Sequence, residues 1–162
     1  MISEAPARAV LAAARARGWR IVTAESCTGG LLSAALTDVP GASDVFDRGF
    51  VSYSYPAKTA MLDVPEAMLA EHGAVSEPVA RAMAHGALRA SQAQLALAVT
   101  GVAGPGGSEA KPEGLVWFAA AWSGGVEALR RDFGLLGRDA VRRRSVEAAL
   151  ELALQVVARA GP

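Results

Sequence analysis

Three short apolar runs constrain this chain more than any other feature: WRIVTAE at 19–25, AQLALAVTG at 93–101 and LVWFAAAW at 115–122. Each is the length of a buried strand, and segments with helical spacing lie between and around them. Helical patterns cover 3–17, with Ser3 as N-cap and Gly18 as the stop, then 31–39, which Pro40 and Gly41 terminate. They recur from Pro56, over 65–72, over 76–91 with Ser76 as cap, and over 138–158. The run VFDRGFVSYSY sets Val51, Tyr53 and Tyr55 against Ser52 and Ser54, a strand alternation, and VEALRRDFG is a further strand candidate. Strands separated by helices, with two adjacent late strands, predict a mixed central sheet covered on both faces, a three-layer α/β/α sandwich. At 162 residues the chain is expected to form one domain over 1–162.

Charge and cysteine content narrow the function classes. The chain has 16 basic and 16 acidic residues, so its overall field attracts neither nucleic acid nor an anionic membrane, and an anionic ligand must be held locally. Cys27 is the only cysteine, which excludes an internal disulfide and a Cys-rich zinc site. No leader pattern and no apolar run near the roughly 20 residues of a membrane span occur. A cytoplasmic location is expected. A hydrophobic content of 52% in so small a chain predicts self-association into a homo-oligomer.

In sheets of this kind ligands bind where strand ends deliver loops. Three loops carry chemistry. TAESCTGGLL, from Thr23, puts Ser26, Cys27 and Thr28 ahead of Gly29 and Gly30 at a strand-to-helix turn, where helix N–H groups can meet an anion or oxyanion. TGVAGPGG, from Thr100 through Gly101, Gly104 and Gly106, can wrap amides around a phosphate, yet it matches neither the P-loop nor the dinucleotide fingerprint. A crossover loop with glycines serving only its turns accounts for it equally well. In the third, Ser43, Tyr53 and Lys58 lie close enough in sequence to meet in a compact fold. A serine needs a base, a lysine kept neutral can be that base, and a tyrosine can relay the proton. Surface and turn positions are the ordinary alternative for all three. His72 and His85 have no partner at ligand spacing, so no metal site is expected. Glu25 reads more economically as a cap of the following turn than as an acid or base.

The blocks TAESCTGGLL, DVPGASDVFDRGFVSYS, AKTAMLDV, AVTGVAGPGG and KPEGLVWFA resemble, in order, the CinA C-terminal domain family, whose PncC-type members are nicotinamide mononucleotide amidohydrolases. The likeness runs from about Thr23 to Phe118 and extends through GRDAVRRRSVEAAL; the chain is too short for the extra N-terminal domain of larger members. The resemblance implies hydrolysis of the carboxamide of nicotinamide mononucleotide to nicotinate mononucleotide and ammonia, within pyridine nucleotide recycling, with no cofactor. Residue by residue it implies Ser43 as nucleophile, Lys58 as base and Tyr53 beside them. It places Ser26 and Thr100 on the same pocket, with Thr28 and the loop glycines as binding residues, and Arg142 at the phosphate, Arg138 and Arg143 being competitors. The chain departs from the family pattern at Tyr55 and Pro56, where many members carry Asn-Glu, and at Glu113 in KPEG, where they read KPVG. Two other readings stay open: Ser26 as the nucleophile with Ser43 structural, and a nucleotide-binding module without turnover.

Overall fold

The computed structural model describes residues 4–108 and 110–161; the expected cap Ser3 lies outside them. The elements are α1 (Glu4–Ala16), β1 (Ile21–Glu25), α2 (Leu31–Thr37), a 3₁₀ turn (Ala42–Asp44), β2 (Phe46–Val51), α3 (Tyr55–Leu62), α4 (Glu66–His72), α5 (Glu77–Arg89), β3 (Leu95–Gly101), β4 (Leu115–Trp122), β5 (Gly125–Asp132) and α6 (Arg138–Arg159). The five-stranded sheet has the order β2-β1-β3-β4-β5. β1 runs parallel to β2 and β3, while β4 is antiparallel to β3 and β5. The expected mixed sheet in a three-layer sandwich is the fold observed.

Strand alternation divides the core in two. Leu95, Leu97 and Val99 of β3 and Val116, Phe118 and Ala120 of β4 face α1, α2 and α6. Ala96 and Ala98, with Ala119 and Ala121, face the other way, toward Ala80, Met83, Ala84 and Ala87 of α5. One layer is therefore built on bulk and the other on small residues that let a helix lie close to the sheet. The run LALAV encodes both.

α2 ends at Thr37, two residues before the expected end, and two further differences from the sequence expectation concern the starts of helices. β2 ends at Val51, so Tyr53 and Tyr55 are not on a strand. Ser54 instead caps α3, its Oγ accepting from the amide of Ala57 (3.1 Å), and Pro56 sits in the first turn, where a missing N–H costs nothing. Ser76 occupies the N-cap position of α5, but its hydroxyl donates to the Gly73 carbonyl (2.8 Å) rather than capping the helix.

Gly86, in the last turn of α5, faces the carbonyl of Leu62 at the end of α3, and a Cβ there would overlap that oxygen. This close approach fixes α3, the helix that carries Lys58. Gly→Ala inside a helix ordinarily gains up to about 1 kcal/mol. Here the sign should reverse: Gly86→Ala is expected to cost about 1–3 kcal/mol as forced overpacking, read as a lower urea midpoint at unchanged m-value.

Candidate active site

The carboxyl ends of the parallel strands β1, β2 and β3 lie on one edge of the sheet, and the connections leaving them enclose a cavity of about 300 Å³. Ser26 and Cys27 line it from the first connection, Tyr53 from the second, Tyr55 and Lys58 from α3, and Thr100 to Ser108 from the third. Arg138, the first residue of α6, stands at the rim.

Lys58 is the centre of this arrangement. Its side chain is 1% exposed, and its Nζ donates to Ser26 Oγ (2.9 Å), the Ser52 carbonyl (2.9 Å) and the Tyr53 carbonyl (3.1 Å). Among the described residues these partners include no carboxylate. Burial therefore disfavours the ammonium and lowers its pKa from the ordinary 10.5 to about 8, the nearby Cys27 thiol opposing the shift weakly. A carbonyl can only accept. When the amine is neutral, its two N–H bonds stay with the Ser52 and Tyr53 carbonyls and its lone pair falls toward Ser26 Oγ, whose hydroxyl becomes the donor. In the neutral form the amine lone pair is thus directed at one particular serine.

Ser26 is held by its surroundings. Its amide donates to the Val99 carbonyl (2.9 Å), tying it to β3. The preceding Glu25 is fully buried, and its carboxylate accepts from Thr28 Oγ1 (2.7 Å), the Leu32 and Ser33 amides (2.8 and 3.0 Å) and Ser33 Oγ (2.7 Å). Four donors and the positive end of α2 offset the cost of burying that charge. The capping reading of Glu25 agrees with this geometry. It also corrects another expectation, because the first free amides of α2 serve Glu25 and are not open to a ligand.

The sequence candidates separate accordingly. Ser26, Tyr53, Lys58, Thr100, Gly101, Gly104 and Gly106 come together on the cavity. Ser43 does not. It is exposed on the 3₁₀ turn before β2, with its carbonyl accepting from Arg20 just ahead of β1 (3.4 Å). It therefore sits at the opposite sheet edge from Ser26, and β1, five residues long and thus roughly 16 Å at about 3.3 Å per residue, lies between. Within the chain the Ser43–Lys58 pair is not made, and Lys58 meets Ser26 instead. Thr28 is buried on Glu25, and Gly29 and Gly30 shape the turn with left-handed backbones (φ 57° and 105°), outside the cavity. Thr100 Oγ1 is committed to the Ala74 carbonyl (2.9 Å).

The arginines also change places. Arg142 donates to the Cys27 and Thr28 carbonyls (both 3.1 Å) and so staples α6 to the serine turn; it does not line the cavity. Arg143 pairs with Asp139 along the helix surface. Arg138 is the arginine at the rim, donating to the Gly104 carbonyl (2.8 Å) and the Tyr53 hydroxyl (3.1 Å). The glycine loop is closed from outside by Glu113, which accepts from the Gly106 amide (3.0 Å), and by Lys111, whose ammonium reaches the Val75 carbonyl (2.7 Å). Cys27 lines the cavity as an inert thiol: burial pushes its pKa up to about 12. Tyr55, in the sequence only a departure from the family pattern, also lines the cavity. The signal for it was the cap at Ser54, which starts the helix so that Tyr55 and Lys58 are three apart on one face.

Comparison with known proteins accords with this architecture. The sequence matches the CinA C-terminal domain over residues 3–157. It is 52% identical over 140 residues to the nicotinamide-nucleotide amidohydrolase PncC of Escherichia coli (strain K12), which covers 86% of this chain and 85% of that protein. The fold superposes on the competence/damage inducible protein CihA of Agrobacterium tumefaciens with a TM-score of 0.92 at 46% identity, covering 96% of this chain and 95% of that one. The competence damage-inducible protein A of Klebsiella pneumoniae gives a TM-score of 0.94 at 39% identity, with 98% of each chain covered. With a family match running from one end of the sheet to the other and neighbours of this closeness in both sequence and structure, the chain belongs to the CinA C-terminal domain family.

Proposed function

We propose that the chain is a nicotinamide mononucleotide deamidase of pyridine nucleotide recycling, hydrolysing the carboxamide to nicotinate mononucleotide and ammonia, with Ser26 as nucleophile and Lys58 as general base. The observation that carries the reading is the 2.9 Å contact of a buried lysine with Ser26 Oγ. The similarity to a nicotinamide-nucleotide amidohydrolase supports the substrate class.

In this mechanism neutral Lys58 takes the Ser26 proton as Oγ attacks the amide carbon. The oxyanion that forms is placed near the amide of Cys27, the residue after the nucleophile. Lys58, now an ammonium, passes its proton to the departing amine, the C–N bond breaks and ammonia leaves. Water then attacks the acyl ester, giving its proton to Lys58, which returns it to Ser26 Oγ as the acid is released. The substrate's pyridinium charge draws electron density from the carboxamide and further disfavours protonated Lys58. Arg138, at the rim, binds the phosphate in place of its present contacts to Gly104 and Tyr53.

Purified, metal-stripped protein should release ammonia and nicotinate mononucleotide from the mononucleotide, and Ser26→Ala and Lys58→Ala should each lower kcat by about 10³-fold or more. Ser43→Ala should keep near-normal turnover. Full activity in Ser26→Ala with its loss in Ser43→Ala would overturn the assignment. Bound mononucleotide without ammonia release would leave a binding module instead.

The proton on Lys58 gives two further readouts. Activity requires the neutral amine, so kcat/KM should fall tenfold per pH unit below about 8. Between about 8 and 10.5 the unfolded chain holds this proton and the folded chain does not. Stability should therefore rise as pH is raised from about 8 to about 9, above which the Cys27 thiol, raised from 9.0 to about 12 by folding, opposes the gain; the rise should be absent in Lys58→Met.

Replacing the rim arginine separates binding from chemistry. Arg138→Gln is expected to raise KM for the mononucleotide about 10–100-fold, the worth of a charged hydrogen bond, and to leave KM for the riboside lacking phosphate unchanged. Arg142→Gln should instead lower the unfolding midpoint, since its two carbonyl partners are structural.

A further inference from the structure

A cationic ring is an awkward guest for this cavity. Two basic side chains line it, Lys58 and Arg138, and among the described residues that line it there is no aspartate or glutamate. Beside the Glu113 carboxylate on the Gly106 amide, an aromatic face can also make the site favourable to positive charge. The candidates are two aromatic rings. Tyr53 is 58% exposed at the mouth, where its hydroxyl is engaged by Arg138. Tyr55 is half-buried, one helical turn before Lys58, and its hydroxyl accepts from the Ala74 amide across the cavity wall (3.0 Å), which pins the ring. Tyr55 also lines a second cavity, on the side of Leu69 and His72, so that it stands between two spaces as a partition.

We propose that Tyr55 is a specificity-determining residue: a fixed aromatic wall, one turn from the base, whose ring face attracts the pyridinium of the substrate and whose bulk closes the back of the site. The proposal rests on the deamidase reading above. The negative face of a phenol ring favours a cation within about 6 Å of its centroid, and the interaction strengthens when water is excluded. A ring held by its own hydroxyl spends no rotamer freedom on binding. Because the aromatic face supplies no proton acceptor, it selects a permanent cation without competing with Lys58 for the serine proton.

The test compares nicotinamide mononucleotide with its isostere carrying a neutral phenyl ring in place of the pyridinium, used as a competitive inhibitor. Tyr55→Leu is expected to raise KM for the mononucleotide about 5–20-fold, with kcat within about twofold and the inhibition constant of the phenyl isostere within about twofold of wild type. Tyr55→Phe keeps the ring but loses the hydroxyl that holds it to the Ala74 amide, so it should keep the preference for the mononucleotide over the phenyl isostere, with KM raised less than in Tyr55→Leu. Tyr55→Met, which fills space without a ring, is the second non-aromatic variant should Tyr55→Leu not fold. Equal weakening of both ligands, or of neither, in the non-aromatic variants would overturn the proposal while leaving the deamidase reading in place. Absence of ammonia release by the wild-type protein would overturn the deamidase reading itself.

Discussion

A lysine buried against one hydroxyl and two carbonyls is the constraint around which this molecule is organised. Removing an ammonium from water costs several kcal/mol even after relaxation, and among the described residues no acid bonds to it to lower that cost. The fold supplies two carbonyls, Ser52 and Tyr53, which tolerate either protonation state, and one hydroxyl, Ser26. Such an environment weakens the charged form and gives the neutral form a defined orientation. A carboxylate in the same place would have restored an ordinary, protonated lysine with no base strength to offer at neutral pH.

Holding Nζ against one oxygen requires the surrounding backbone to be over-determined. Glu25 gathers the turn and the start of α2 around a buried carboxylate, Arg142 fastens the same turn to α6, and the Ser26 amide is tied to β3. On the other side, Gly86 lets α5 press against the end of α3. These are polar contacts and one missing Cβ, each placed where a shift of about an ångström would part the lysine from the serine. Under the proposed mechanism activity and stability are linked through the same few residues, the usual condition of a preorganised site.

The fold was largely legible in the sequence because its signals are local. Runs such as LALAV and VWFAAA cannot bury their apolar sides except in a covered sheet, and glycine or proline marks many of the element ends. Membership in the family was legible from collinear blocks. The site was legible in its residue types but not in its pairing. Ser43, Tyr53 and Lys58 are near one another in sequence, and sequence proximity favoured grouping them. A parallel sheet separates such neighbours: the 3₁₀ turn enters β2 at one edge, while Tyr53 and Lys58 leave it at the other. Arg138 and Arg142 are one turn apart on α6, and nothing local says which one faces the cavity and which one staples the turn.

The sequence by itself determined the layers, the order of strands and helices, and the supply of a serine, a lysine, two tyrosines and a glycine loop near strand ends. Periodicity and turn chemistry act over a few residues and need no knowledge of distant partners. Tertiary structure alone decided that Lys58 meets Ser26, that Glu25 is spent on capping, and that Tyr55 forms a wall between two cavities. Each of these depends on which strand edge a loop leaves and on what is packed behind it, and parallel pairing of β1 with both β2 and β3 sets those relations over separations of about 25 to 75 residues.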